Sequence, residues 1–154
     1  MARIPKLLRL GVKTITIHKG KNPWGGGNAD ILIHKGSGEL YKTFWEGDIY
    51  DETLVHEAVH TSLDNKIRDT EEWKAAVAAD GIYVSDYARS YPRREDVAES
   101  FVIYLATRCA KNTMTQPELD KWEKQLGNRF RLFDTYFFAD DMKSPMTSCS
   151  HYSS

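Results

Sequence analysis

His56-Glu57-Ala58-Val59-His60 sets two imidazoles four residues apart with a carboxylate between them. On a helix, positions four apart project from one face, one turn above the other. Two imidazoles placed in this way can bind one tetrahedral zinc ion, and Glu57 sits where it can reach a water on that ion. Zinc lowers the pKa of water from about 16 toward about 7. A neighbouring carboxylate then acts as general base and later delivers a proton to a leaving amine.

A catalytic zinc site needs a third protein ligand and an open position. Asp64 lies four residues beyond His60. Four residues rise about 6 Å along a helix, so three ligands at that interval span about 12 Å and cannot share one ion. Asp64 therefore reads as a carboxylate that holds a ligand histidine from behind. Glu95 and Glu99 are four apart on a second expected helix. One of them can complete a His/His/Glu set, while the other accepts a hydrogen bond from a ligand imidazole.

The elements that must position these residues are strands first and helices afterwards. Val12–Ile17 alternates near period two and Ala29–His34 follows as a second strand, with Leu40–Trp45 a candidate third. The composition of Asn22–Asn28 predicts a loop that borders the cleft. A helix capped by Asp48 or Asp51 should run to about Asn65, burying Val55, Ala58, Val59, Ser62 and Leu63. Thr70 starts the next helix and Asp80-Gly81 ends it. Residues 84–91 read as irregular, and Pro92 opens the helix that carries Glu95 and Glu99. Thr115-Gln116-Pro117-Glu118 forms a capping box before a helix with Leu119, Trp122, Leu126, Phe130 and Phe133 in one stripe. The expected class is α+β: a small N-terminal mixed sheet with a site-bearing helix, then a helical C-terminal half. One domain is expected over residues 1–141, with a disordered tail at 142–154.

Around these motifs the sequence resembles the lethal-factor-like zinc metallopeptidases, which include the anthrax lethal factor catalytic domain and bacterial Pro-Pro endopeptidases. In that family an HExxH helix precedes a tyrosine and then ExxxE on a second helix. The matching stretches here are His56–His60, Ser85-Asp86-Tyr87-Ala88-Arg89 and Glu95-Asp96-Val97-Ala98-Glu99. The resemblance spans roughly residues 29–106. It implies a zincin-like fold, peptide-bond hydrolysis, Zn²⁺ as cofactor, Glu95 as third ligand and Glu99 behind the ligands. It also implies secretion and a tyrosine that stabilises the tetrahedral oxyanion. The family's tyrosine precedes the glutamate ligand by seven residues. Here Tyr87 precedes Glu95 by eight (95 − 87) and Tyr91 by four (95 − 91), and Tyr87 is the match through Tyr-Ala-Arg.

Composition narrows the alternatives. The 154 residues fit one domain, and 41% hydrophobic with 28% charged residues is a globular composition. A net charge of −1 offers no field for nucleic acid or an anionic membrane, and no apolar run is long enough to span a bilayer. Met1–Leu10 is too short and interrupted for a signal peptide. Cys109 and Cys149 cannot build a CxxC zinc site; they form one disulfide or both stay free. Arg89, Arg93 and Arg94 read as surface arginines, and His18, His34 and His151 lack ligand spacing. In zincins an edge strand pairs with an extended peptide, and Ala29–His34 is the candidate. The expected substrate is therefore a peptide or protein, acted on by a monomer. The competing readings are a silent binding or inhibitory module on the same scaffold, and a DNA-associated protease of the SprT type.

Overall fold

Thr14–His18 (β1) alternates threonine with isoleucine, the period of a pleated strand. Asp30–His34 (β3) pairs with it in parallel, Ile15 opposite Ile31 and Ile17 opposite Ile33. Gly25–Gly27 (β2) runs antiparallel along the other side of β3, giving the order β1-β3-β2. The computed structural model describes residues 4–36, 49–109 and 114–138. The strand expected at Leu40–Trp45, the cap at Asp48, Cys149, His151 and the tail at 142–154 lie outside the described residues.

Two expectations for the sheet are corrected. The loop expected over Asn22–Asn28 contains β2, because three glycines can bond along β3 while lying flat against a helix. Asn28 and Ala29 form the turn between β2 and β3, both at positive φ (50° and 64°), the backbone of a two-residue type I′ hairpin. Ala29 thus belongs to the turn rather than the strand. The second correction concerns the expected substrate-pairing edge at 29–34. β3 is the central strand, hydrogen-bonded on both sides, and has no free edge.

A short helix that the sequence reading did not anticipate, Lys6–Gly11 (α1), packs on the site-bearing helix Ile49–Ser62 (α2). Ile4 and Leu8 are buried there, and the Ser62 hydroxyl donates to the Leu8 carbonyl. α2 buries Val55, Ala58 and Val59 as its spacing predicts. The expected single helix to Asn65 is interrupted at Leu63 (φ −120°), and Asp64–Ile67 (α3) forms a separate turn. Glu71–Asp80 (α4) starts and stops where expected: the Thr70 hydroxyl accepts from Trp73 N–H, and Gly81 ends the helix at φ 68°.

Residues 84–91, expected to be irregular, contain the five-residue helix Asp86–Ser90 (α5). The Ser85 hydroxyl caps it by accepting from Ala88 N–H at 3.0 Å, the local bond that a hydrophobic-pattern reading overlooks. Pro92–Cys109 (α6) begins at its proline, as predicted. Gln116–Phe138 (α7) follows, with Glu118 reaching back to Thr115 N–H at 2.7 Å and a kink at Leu126 (φ −120°). Phe101 and Tyr104 of α6 pack on Phe130 and Phe133 of α7, Phe101 and Phe133 edge to face at 5.2 Å. The chain is α+β, a small three-stranded mixed sheet followed by a mostly helical C-terminal half.

Candidate metal centre

α2 lies between β2 and α6 and packs on both, which brings the two expected ligand helices together. Two contacts fix α2 against the sheet. The Thr61 hydroxyl lies 3.1 Å from Asp30 O and 3.0 Å from Glu57 O. Gly26 of β2 lies against the Glu57 backbone, where an added Cβ would sit 2.1 Å from the Glu57 carbonyl oxygen. Glycine is therefore required at this position.

His56 Nε2, His60 Nε2 and Glu95 Oε2 converge on one point. The two imidazole nitrogens are 3.0 Å apart and each lies 3.2 Å from the carboxylate oxygen. Ligands about 2.0–2.1 Å from a tetrahedral zinc stand about 3.3 Å from one another. The triangle has nearly those edges, and its donors are the N, N, O set that zinc accepts. His56, His60 and Glu95 could hold a metal ion.

Both histidines are held from behind. His60 Nδ1 is 2.6 Å from Asp64 Oδ2, and His56 Nδ1 is 3.6 Å from Glu99 Oε1. The first is a hydrogen bond, and the second is too long to be one. The Asp64 carboxylate on Nδ1 fixes the His60 ring so that Nε2 faces the shared point, and Glu99 stands further off behind His56. The break at Leu63 leaves Asp64 buried at 2% exposure directly under His60. The four-residue interval that barred Asp64 from the ligand triangle suits this contact behind it.

Electrostatics at the triangle favour positive charge. Burial works against protonation of His60, but hydrogen bonds to Asp64 and Glu95 outweigh it and push its pKa up to about 10. Burial also opposes ionisation of Glu95, yet bonds to His56, His60 and Arg94 hold its carboxyl well below the usual range. Glu57 is buried at 6% exposure. Desolvation raises its pKa, against the lowering influence of His56 and His60.

The cleft over this centre encloses about 930 Å³. Pro23–Asn28 borders it on one side, and Tyr87, Arg94, Glu95 and Glu99 on another. The Tyr87 hydroxyl donates to Glu95 Oε1 at 3.0 Å. Tyr91, the other sequence candidate, packs its ring edgewise on Tyr87 at 5.3 Å and is not among the cleft residues. His18 and His34 stack together 5.6 Å apart at the ends of β1 and β3 and take no part in the triangle.

Two arginines matter more here than their sequence suggested. Arg94, read as a surface residue, donates to Glu95 Oε1 at 2.6 Å and to the Tyr87 hydroxyl at 2.7 Å. Arg129, missed altogether, is fully buried in α7. It bonds Asp96 Oδ1 and Oδ2 at 3.2 Å each, Asp80 Oδ2 at 3.1 Å and Ile82 O at 2.9 Å. Asp96 follows Glu95 directly, so this buried guanidinium anchors the turn of α6 that carries Glu95. A signal for it was present: Arg129 falls among Leu126, Phe130 and Phe133 at helical spacing, inside the apolar stripe. Comparison with protein-family models, curated proteins and solved structures returns no match for this chain.

Proposed function

We propose that this chain is a zinc-dependent endopeptidase on a zincin-like scaffold. The observation that carries the reading is the triangle of His56 Nε2, His60 Nε2 and Glu95 Oε2, with edges of 3.0–3.2 Å, under an open cleft that Glu57 also lines. The resemblance of His56–His60 and Glu95–Glu99 to the lethal-factor-like peptidases supports the same reading.

His56, His60 and Glu95 would hold the ion, with Asp64 orienting the His60 imidazole and Glu99 standing behind that of His56. A zinc ion there would supply Lewis acidity toward a carbonyl oxygen and would bring the pKa of water near neutrality. Glu57 takes one proton from the attacking water and delivers it to the amine nitrogen as the C–N bond breaks, so carboxylate and proton count are restored each cycle. Burial raises the pKa of Glu57 in the metal-free site, the direction that makes a carboxylate a stronger base. The Tyr87 hydroxyl borders the cleft and can turn its hydrogen toward the oxyanion. An extended substrate peptide would run along β2, the outer strand of the described sheet, whose glycines 25–27 border the cleft.

Metal analysis and digestion of a peptide library test the proposal together. Wild-type protein should carry one zinc per chain and Glu95→Ala none. Glu57→Gln should keep its zinc and cleave nothing, and a chelator should abolish wild-type cleavage. Cleavage by Glu57→Gln, or zinc retained by Glu95→Ala, would overturn the assignment.

A further inference from the structure

Glu95 uses its two carboxylate oxygens differently. Oε2 faces both histidines at 3.2 Å. Oε1 faces away and accepts from Arg94 Nε at 2.6 Å and from the Tyr87 hydroxyl at 3.0 Å. Arg94 Nη2 donates in turn to the Tyr87 oxygen at 2.7 Å, which closes a three-membered ring of hydrogen bonds. The Arg94 side chain is 65% exposed while that of Glu95 is 3% exposed, so a solvated cation is fastened to a buried ligand. The Tyr91 ring lies 5.1 Å from the guanidinium carbon and supports it from one face.

We propose that Arg94 is a positioning residue that keeps Glu95 a one-oxygen ligand and frees the Tyr87 hydroxyl for substrate. This rests on the zinc reading above. A carboxylate can bind a metal through one oxygen or two. Two-oxygen binding by Glu95 would fill the position that substrate and water need. Arg94 opposes it by holding Oε1 outward through a charge-assisted hydrogen bond.

Its second bond matters for turnover. Tyr87 has one hydroxyl hydrogen, and at rest that hydrogen goes to Glu95 Oε1. To meet a developing oxyanion it must leave. Arg94 then remains on Oε1, so the carboxylate does not swing inward when Tyr87 turns. Only arginine presents two directed N–H groups in one plane for this; a lysine ammonium would satisfy one partner and leave the geometry loose.

Cobalt(II) reports the difference, because its visible absorption is strong with four ligands and weak with five. Cobalt-loaded wild type, Arg94→Met, Arg94→Gln, Arg94→Lys and Tyr87→Phe should be compared, with the melting temperature of each metal-free protein measured alongside. Arg94→Met and Arg94→Gln should show a several-fold weaker visible band and lose kcat on a library peptide by about 10-fold or more, with KM little changed. Arg94→Lys should fall between them and wild type. Tyr87→Phe should lose kcat but keep the wild-type cobalt spectrum, since Arg94 still holds Oε1. The exposed Arg94 side chain leaves folding of its variants intact. A wild-type spectrum in both Arg94→Met and Arg94→Gln would overturn the proposal while leaving the zinc reading standing. A wild-type protein that takes up neither zinc nor cobalt would overturn both.

Discussion

Gly26 and Glu57 touch backbone to backbone: a Cβ on Gly26 would fall 2.1 Å from the Glu57 carbonyl oxygen and 2.9 Å from its Cα. The sheet and the site-bearing helix are therefore in contact at Glu57, between the two histidines of the triangle. Gly26→Ala should push β2 off α2, with an overpacking cost of about 1–3 kcal/mol. Thermal denaturation of the metal-free protein checks this, and peptide cleavage should fall in parallel. Gly25→Ala, where nothing lies within 4 Å of the added carbon, is the control and should fold as wild type.

The carboxylates behind the two histidines should contribute unequally. Asp64 sits 2.6 Å from His60, whereas Glu99 sits 3.6 Å from His56. Asp64→Asn should weaken zinc binding by about 10–100-fold. Glu99→Gln should have the smaller effect. Competition with a chromogenic chelator measures both affinities, and equal losses would contradict this ranking.

Removing Arg129 should be costly for a reason unrelated to surface charge. Arg129→Met leaves Asp80 and Asp96, each about 1% exposed on its side chain, without their shared cation. Breaking a buried ion group in this way costs about 3–5 kcal/mol. Adding Asp80→Asn and Asp96→Asn to Arg129→Met should recover part of the loss. Denaturant unfolding of the single and triple variants checks both statements.

The metal-free protein should respond to alkali through His60. Its folded pKa of about 10 lies above the ordinary value of 6.5. The stabilisation is thus fully present below pH 6.5 and lost as pH rises through about 10. Melting temperatures of the metal-free protein should fall over that window. Zinc must displace the same proton, so its affinity should rise by up to about tenfold per pH unit across the same range. Calorimetry in buffers of different ionisation enthalpy should count one proton released near pH 7.

What the sequence made legible was whatever rests on local rules. The Thr70 cap, the Gly81 stop and the Pro92 start follow from backbone chemistry within a few residues, and the structure has them in place. Two four-residue intervals on two helices made it readable that Glu95 or Glu99 would join His56 and His60, and only the family resemblance singled out Glu95, the carboxylate found beside them. The central place of β3 was not readable, since strand order depends on pairing between distant segments. β2 escaped because glycine carries no propensity for strands, and its reason for being one lies in a helix more than twenty residues later. Arg94 escaped because its default surroundings are solvent, and two-thirds of its side chain does remain there.

Glu95 and Asp96 are neighbours on α6 and face different worlds. Successive residues on a helix diverge by about 100° around its axis, so Glu95 meets the cleft while Asp96 meets Arg129 in the core. The helix behaves as a keyed shaft: it cannot turn to withdraw Glu95 without dragging Asp96 from the guanidinium. The angular setting of Glu95 is thereby inherited from the buried ion pair between Asp96 of α6 and Arg129 of α7.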